Sequence, residues 1–185
     1  MYEELTEKKL DSTILHKGKF FDLYIDKVRL PDGRESTREY ITHPGAAVIL
    51  PLFKNGDIIL IRQYRYPLQT VFLELPAGKL DENEAAEICA ERELLEETGY
   101  HAKELNLLTK FYPCIGYSDE EMWLYLATDL HEMSQNTDHD EFIQAERVPY
   151  IEALELVKKG QITDLKSMVS LYHAKDFVES YLKGS

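Results

Sequence analysis

Hydrophobic and polar residues alternate along residues 20–30, FFDLYIDKVRL, with Phe21, Leu23 and Ile25 at every second position. Such alternation is typical of a strand that buries one face. The next residues, PDG at 31–33, are common in turns, and RESTREYIT then returns along the chain. The pattern therefore predicts a β-hairpin.

Two further segments are apolar almost without interruption, GAAVILPLF at 45–53 and DIILIRQY at 57–64. Runs of this kind are typical of strands that are covered on both faces. Because only KNG separates them, we predict a second hairpin here. VFLELPAG at 71–78 predicts a short strand that ends at proline and glycine.

The remaining chain predicts one central helix, more strands and a helical end. The central helix ends at Gly99 and takes Asp81 or Asn83 as its N-cap. PYIEALELVKKGQ and DLKSMVSLYHAKDFVESYL have helical periodicity. Strands are predicted near 103–112, 121–128 and 142–148. This order favours an α/β (α+β) sandwich in which helices cover a mixed sheet.

Composition and charge narrow the class of protein. A chain of 185 residues fits one domain, or a compact domain with a small attached sheet. The formal charge of −13 argues against nucleic acid or an anionic membrane as partner. The N-terminus has no apolar signal-peptide core and no segment is long and apolar enough to span a bilayer, so a cytoplasmic location is expected. The two cysteines, Cys89 and Cys114, are too few for a disulfide framework.

The segment GKLDENEAAEICAERELLEETGY, residues 78–100, crowds carboxylates onto one helix. At 100° per residue, Glu93, Glu96 and Glu97 share one face. Like charges at this spacing repel, and lysines do not occur between Lys79 and Lys103 to offset them. Either the face is solvated, or it binds a hard divalent cation such as Mg2+, which prefers oxygen ligands.

The same helix also carries small and large apolar side chains. Ala86, Cys89 and Ala90 lie on the side of the glutamates, whereas Ile88 and Leu95 point almost oppositely. We therefore predict that Ile88 and Leu95 pack into the sheet. Cys89 is predicted to be filler rather than a nucleophile, since the sequence puts no histidine or lysine beside it.

Residues 78–100 resemble the Nudix box, G-x5-E-x7-R-E-U-x-E-E-x-G-U, at every fixed position. The resemblance implies a Nudix α/β/α sandwich and hydrolysis of a nucleoside diphosphate linked to another group, with Mg2+ or Mn2+ as cofactor. It implies that Glu93 and Glu97 are primary metal ligands and that Glu96 is a further ligand or a water-holding catalytic residue. The Ala77 carbonyl would complete the metal site. Four motif residues are implied to be structural: Gly78, Glu84, Arg92 and Gly99, with an ion pair between Glu84 and Arg92.

Outside the box, the chain resembles the ADP-ribose and nucleoside-diphosphate-sugar pyrophosphatase branch in TREYITHPGAAVILP, IRQYRYPL and FLELPAGKLDENE. The resemblance implies two parts. Residues 1–43 would form a small antiparallel sheet that dimerises, or is exchanged, with a second copy, and residues 44–185 the hydrolase domain. It also implies a homodimer that binds a small-molecule nucleotide sugar.

Candidate substrate-binding residues follow from that resemblance and from charge. Guanidinium groups bind diphosphate oxygens in a bidentate manner. In so acidic a chain the alternative for each arginine is a surface ion pair; phosphate binding is favoured for Arg65, and the two alternatives stay open for the others. The candidates are Arg38, Arg62, Arg65, Glu74, Ser118 and Glu120.

Two positions after the box bear on the substrate and on the general base: the residue before Gly116, and Glu141. ADP-ribose members usually carry proline before the glycine of the loop after the box, but this chain has Ile115 before Gly116. The departure favours other sugar nucleotides, so a narrower GDP-mannose or ADP-glucose hydrolase stays an alternative, as does a regulator that binds without cutting. By position, Glu141 is the candidate general base, with Asp138, Asp140 and Glu96 as alternatives.

Overall fold

The computed structural model describes residues 2–133 and 142–184, which form two units. One unit comprises Met1–Gly45 with Tyr112–Glu121, and the other comprises Ala46–Phe111 with Met122–Ser185. The strands are β1 Lys8–Lys17, β2 Asp22–Arg29, β3 Glu35–Thr42, β4 Ala46–Pro51, β5 Asp57–Arg65, β6 Thr70–Glu74, β7 Ala77–Lys79, β8 Tyr100–Phe111, β9 Met122–Glu132 and β10 Ile143–Pro149. The helices are α1 Ala86–Thr98, α2 Tyr150–Lys158, α3 Leu165–His173 and α4 Lys175–Gly184.

The first unit is an antiparallel sheet in the order β1-β2-β3. The predicted hairpin is confirmed as β2 and β3, and Gly33 closes its turn with a φ of 88° that glycine adopts readily. Strand β1 was not predicted from the pattern, because KKLDSTILHK does not alternate and is exposed along its whole length. The 112–121 segment joins this unit through a bridge between Ile41 and Ser118.

The second unit contains a mixed sheet in the order β7-β4-β9-β8 and an antiparallel sheet in the order β10-β5-β6. Strand β4 runs parallel to β9 and antiparallel to β7. Alternate residues of β4 enter two cores. Val48 and Leu50 pack with β5 and the C-terminal helices, whereas Ala47 and Ile49 pack on the side of α1. The mixed sheet predicted for a sandwich is confirmed.

The prediction of a second hairpin at 45–53 and 57–64 is wrong. The turn exists, since Phe53 N–H donates to the Asp57 carbonyl at 2.9 Å, but the strands belong to different sheets and share one bridge, Leu52 to Ile58. Strand β4 is buried throughout and β5 is buried over residues 58–61, so these apolar runs need cover on both faces. They obtain it because the turn carries the chain from one sheet to the other.

The segment predicted as one strand at 71–78 is divided into β6 and β7 at Leu75 and Pro76. Proline has no N–H to donate, but the Pro76 carbonyl accepts a hydrogen bond from Ile49 N–H at 2.9 Å. The break redirects the chain from one sheet to the other just before Ala77. Among the described residues, none of the helices is long and apolar enough to cross a membrane.

Candidate active site

The site begins where β7 pairs with the start of β4 and leads through a short turn into α1. Gly78 lies opposite Ala47 in this pairing. The predicted N-caps are wrong: α1 begins after Ala85, and Asn83, with φ of 63°, lies in the turn before it. The predicted helix end is confirmed, because Gly99 has φ of 75° and its N–H donates to the Leu95 carbonyl at 2.9 Å.

The acidic face of α1 is the buried face, which corrects the predicted orientation. Glu97 is only 1% exposed and Glu93 8%, whereas Ile88 is 55% exposed and Leu95 is half-buried. Ile88 therefore does not pack into the sheet. Small side chains explain the reversal, because Cys89 and Ala90 let α1 lie close to β4 while the longer carboxylates reach along the edge at β7.

Arg92 neutralises much of this carboxylate cluster. Its Nε and Nη2 donate to the two oxygens of Glu84 at 2.9 and 2.8 Å, and Nη1 donates to Glu93 at 2.7 Å and Glu96 at 3.1 Å. Nη2 also donates to the Lys79 carbonyl. The guanidinium of Arg92 holds the pKa of Glu84 at about 2, and that carboxylate in turn raises the pKa of Arg92. The pair thus ties the turn to the helix.

Two carboxylates of the cluster, Glu97 and Glu93, contact the main chain of β7. Ala77 N–H donates to Glu97 Oε2 at 2.9 Å. The Glu93 carboxylate lies directly over Gly78, where an added Cβ would come within 1.8 Å of its Cδ and Oε1. Only glycine leaves room for Glu93 at this position.

The donor set fits a hard divalent cation. Glu93, Glu96 and Glu97 supply carboxylate oxygens, the donors that Mg2+ and Mn2+ prefer. With Glu84 the cluster holds four carboxylates, and Arg92 donates to three of them. Within residues 2–133 and 142–184, no group of three or more acidic, histidine or cysteine side chains is already arranged to hold a metal ion. Arg92 donates to one oxygen of Glu93 and one of Glu96, and each carboxylate has a second oxygen that can act as a ligand.

Cys89 lies beside the carboxylate cluster, and its thiol is in an environment that makes it unreactive. Burial, together with the charges of Glu93 and Glu84, raises the pKa of its thiol to about 12. A thiol that stays protonated is a poor nucleophile. The prediction that Cys89 is filler agrees with this environment.

Arg65 and Glu74, both predicted to bind substrate, are bound to each other. Arg65 Nε and Nη2 donate to Glu74 at 2.9 and 2.6 Å, and Glu74 is only 2% exposed. The second partner of Glu74 is Lys166 of α3, which sequence reasoning missed. Burial raises the pKa of Glu74, but the hydrogen bonds from Arg65 and the charge of Lys166 outweigh it and hold the pKa below the ordinary value. A lysine near the end of the chain carries no sequence signal that links it to β6.

Arg62 and the candidates of the first unit have partners of their own. Arg62 donates twice to Glu146, at 3.1 and 2.9 Å, on a half-exposed surface. In the first unit, Arg38 binds Glu7 and donates to the Thr37 carbonyl. There, Ser118 Oγ accepts from Glu120 N–H at 3.1 Å, and a Glu120 carboxylate oxygen lies 3.6 Å from His43 Nδ1. The candidate bases Glu141, Asp138 and Asp140 lie outside the described residues.

Comparisons with known proteins agree with this geometry. The NUDIX domain matches residues 42–169, and the nucleoside diphosphate sugar hydrolase N-terminal domain matches residues 7–41. An ADP-ribose pyrophosphatase of Bacillus subtilis (strain 168) is 39% identical over 173 residues, covering 92% of this chain and 94% of the relative. A methanol dehydrogenase activator of Bacillus methanolicus is 35% identical over 169 residues, covering 90% and 91%.

A solved structure, that of an ADP compounds hydrolase, superposes with a TM-score of 0.84 at 22% identity and covers 94% of this chain and 95% of its own. The likeness confirms the predicted fold. Because the NUDIX match spans most of the chain and includes the whole carboxylate helix, this protein belongs to the NUDIX domain family.

Proposed function

We propose that this protein is a Mg2+-dependent pyrophosphatase that hydrolyses ADP-ribose or a related nucleoside-diphosphate sugar to a nucleoside monophosphate and a sugar phosphate. Hydrolases of this family generally need a divalent metal ion. The observation that carries the proposal is the pair of buried carboxylates, Glu93 and Glu97, held against β7 at Gly78 and Ala77. The 39% identity to an ADP-ribose pyrophosphatase supports the substrate class.

In this proposal Glu93, Glu96, Glu97 and the Ala77 carbonyl hold the ion. When bound, a divalent cation supplies charge neutralisation for the diphosphate and lowers the pKa of a bound water. The chain's own part is to keep the ligands in position. The Glu84–Arg92 pair fixes the turn on the helix, and the Ala77 N–H fixes the Glu97 carboxylate.

Arg65 is the proposed phosphate-binding residue. Its Nε and Nη2 are hydrogen-bonded to Glu74, so Nη1 is the nitrogen that faces away from this pair. The charge of Glu97 acts on Arg65, which therefore lies within electrostatic range of the carboxylate cluster. A diphosphate that reached the cluster would also meet this guanidinium, and charge-assisted hydrogen bonds to phosphate are strong.

The proposed general base is Glu141, which would take a proton from the attacking water. Single-turnover hydrolysis with Mg2+ saturating tests the assignment. Glu141→Gln should slow the chemical step by about a hundredfold or more, since general-base catalysis contributes roughly that much. If Glu141→Gln reacts as fast as the parent, the base is another group, and Glu96→Gln is the next variant to test.

We also propose that residues 1–43 form a dimerising sheet and that residues 44–185 form the hydrolase domain. Strand β1 is exposed along its length, and Ile14 and Leu15 are each about half exposed. Strand β1 is at the edge of its sheet, and the unpaired main-chain groups of an edge strand can pair with a second chain. Sedimentation at several concentrations tests the homodimer: Ile14→Lys should shift the mass from two copies to one, and a monomeric parent chain would refute the proposal.

The decisive experiment for the activity is a hydrolysis panel with product identification. ADP-ribose, ADP-glucose, GDP-mannose and UDP-glucose are each incubated with Mg2+, with Mn2+ and with chelator. We expect AMP and ribose 5-phosphate from ADP-ribose, and loss of turnover with chelator. Turnover limited to GDP-mannose or ADP-glucose would favour the narrower hydrolase that Ile115 suggests.

A second candidate is a regulator that binds a nucleotide sugar without cutting it. The observation that favours it is the 35% identity to a methanol dehydrogenase activator. Saturable binding of a sugar nucleotide without product, with either metal, would support this function and exclude the pyrophosphatase.

A further inference from the structure

A buried network of charges joins the start of α3 to the end of β6. Lys166 is 7% exposed, and its Nζ donates to Glu74 and, at 2.8 Å, to Asp164. Glu74 also accepts both hydrogen bonds from Arg65. The network therefore runs from α3 through β6 to the last residue of β5, and its two cations balance its two carboxylates.

The start of α3 is fixed by the same residues. Asp164 is the N-cap, and its Oδ2 accepts from Ser167 N–H at 3.0 Å and from Ser167 Oγ at 2.6 Å. Ser167 Oγ in turn accepts from Leu75 N–H at 2.7 Å. A cap of this type removes unsatisfied N–H groups from the helix end. Here it also fastens the helix to Leu75, in the break between β6 and β7.

Two paths lead from this network to the candidate active site. The side-chain path runs from Lys166 to Glu74 and then to the guanidinium of Arg65. The main-chain path runs from Ser167 to Leu75, two residues before Ala77, whose N–H holds Glu97. Because each path ends on a different group, variants of Lys166 and Ser167 can separate them.

We propose that Lys166 is a positioning residue that holds the Glu74 carboxylate in place and thereby orients Arg65 toward the diphosphate of the substrate. The proposal rests on the proposed pyrophosphatase function. Lys166 does not itself bind substrate, because its ammonium is buried and hydrogen-bonded to Glu74 and Asp164. Without it, Glu74 would be a buried carboxylate with Arg65 alone to neutralise it, and the carboxylate that orients the guanidinium would lose the contact that fixes it to α3.

The test compares Lys166→Met and Lys166→Arg with a matched control, Lys158→Met. Lys158 is an exposed lysine of α2 that forms an ion pair with Glu155, a residue outside this network. Steady-state hydrolysis of ADP-ribose at saturating Mg2+ gives KM and kcat. We expect Lys166→Met to raise KM about tenfold and to leave kcat within about threefold, since loss of a supporting partner commonly costs that much. Lys166→Arg should recover most of the loss, and Lys158→Met should match the parent.

A double-mutant cycle with Arg65→Ala identifies the path. If Lys166 acts through Arg65, adding Lys166→Met to Arg65→Ala raises KM no further, because the group that it orients is gone. Additive effects on KM, or a loss confined to kcat and thermal stability, would overturn the inference and leave Lys166 a structural residue. Ser167→Ala, which affects the main-chain path, should not show this dependence on Arg65.

Two outcomes must be kept apart. If the parent chain hydrolyses no sugar nucleotide, the proposed function fails and the inference fails with it. If the parent is active and the cycle is additive, only the inference fails. Should Lys166→Met not fold, Lys166→Gln removes the charge but keeps a donor, and the same cycle with Gln decides the question.

Discussion

Replacing Gly78 by alanine should disable the carboxylate cluster without breaking the fold. The φ of Gly78 is not positive, so alanine can adopt its backbone conformation. The obstacle is Glu93, because an added Cβ would lie 1.8 Å from its Cδ and Oε1 and 2.4 Å from its Oε2. Atoms in van der Waals contact are about 3.5 Å apart. The carboxylate must therefore retreat by roughly 1.7 Å.

Glu93 cannot retreat without cost, because it is buried and accepts a hydrogen bond from Arg92 at 2.7 Å. Losing a charge-assisted hydrogen bond costs about 1.5–3 kcal/mol, and replacing glycine returns about 0.4–1 kcal/mol by restricting the unfolded chain. Gly78→Ala should thus lose about 0.5–2.5 kcal/mol of stability, or about 1–10 °C in Tm. A displacement of this size at a reacting centre lowers the rate by about a hundredfold or more.

The assay is AMP release from ADP-ribose, with Tm measured on the same sample. Gly184→Ala is the matched control, because an added Cβ at Gly184 meets no atom within 4 Å and its φ is not positive. We expect the control to keep parental kcat. If Gly78→Ala also turns over within twofold of the parent, Glu93 does not need its position over Gly78 and the reasoning is refuted.

Three further predictions concern α1 and the turn before it. Glu84 has its pKa lowered to about 2, so it stabilises the fold fully above its unfolded pKa, near 4.5, and this contribution is lost as pH falls through 2. Glu84→Gln should cost up to about 3 kcal/mol at pH 7 in urea unfolding, with the difference from the parent vanishing near pH 2; a pH-independent difference would contradict this. Glu97→Gln keeps an oxygen to accept from Ala77 N–H but loses the charge, so Tm should change little while Mg2+-dependent turnover falls about a hundredfold; an equal fall in stability would argue for a structural role. Cys89→Ala should keep kcat within about threefold, and the native thiol should resist iodoacetamide at pH 8; rapid labelling would refute the raised pKa.

Local patterns were sufficient for several elements. The alternation at 20–30 and the glycine at 33 predicted β2, β3 and their turn, because period and turn residues are properties of adjacent positions. Gly99 was predicted to end α1 for the same reason, since glycine adopts a positive φ at little cost. The motif spacing also indicated the family and the crowding of glutamates on one helix.

Contacts between residues that are distant along the chain could not be predicted from the sequence. The apolar runs at 45–53 and 57–64 predicted strands that are covered on both faces. They did not predict that the two strands lie in different sheets. Likewise, hydrophobicity suggested that Ile88 faces the sheet, whereas close packing of Cys89 and Ala90 turned the glutamates inward. Local apolar character does not specify which neighbour supplies the cover.

The sequence by itself determined that this chain folds as a NUDIX domain and which helix carries its carboxylates, because those facts depend on short-range spacing. The tertiary structure alone decided that Arg92, besides its expected pairing with Glu84, also donates to Glu93 and Glu96. It likewise decided that Lys166, 92 positions after Glu74, is the second partner of that carboxylate beside Arg65. The physical reason is that burying a charge requires an opposite charge in contact, and the chain can bring that partner from any distance along its length.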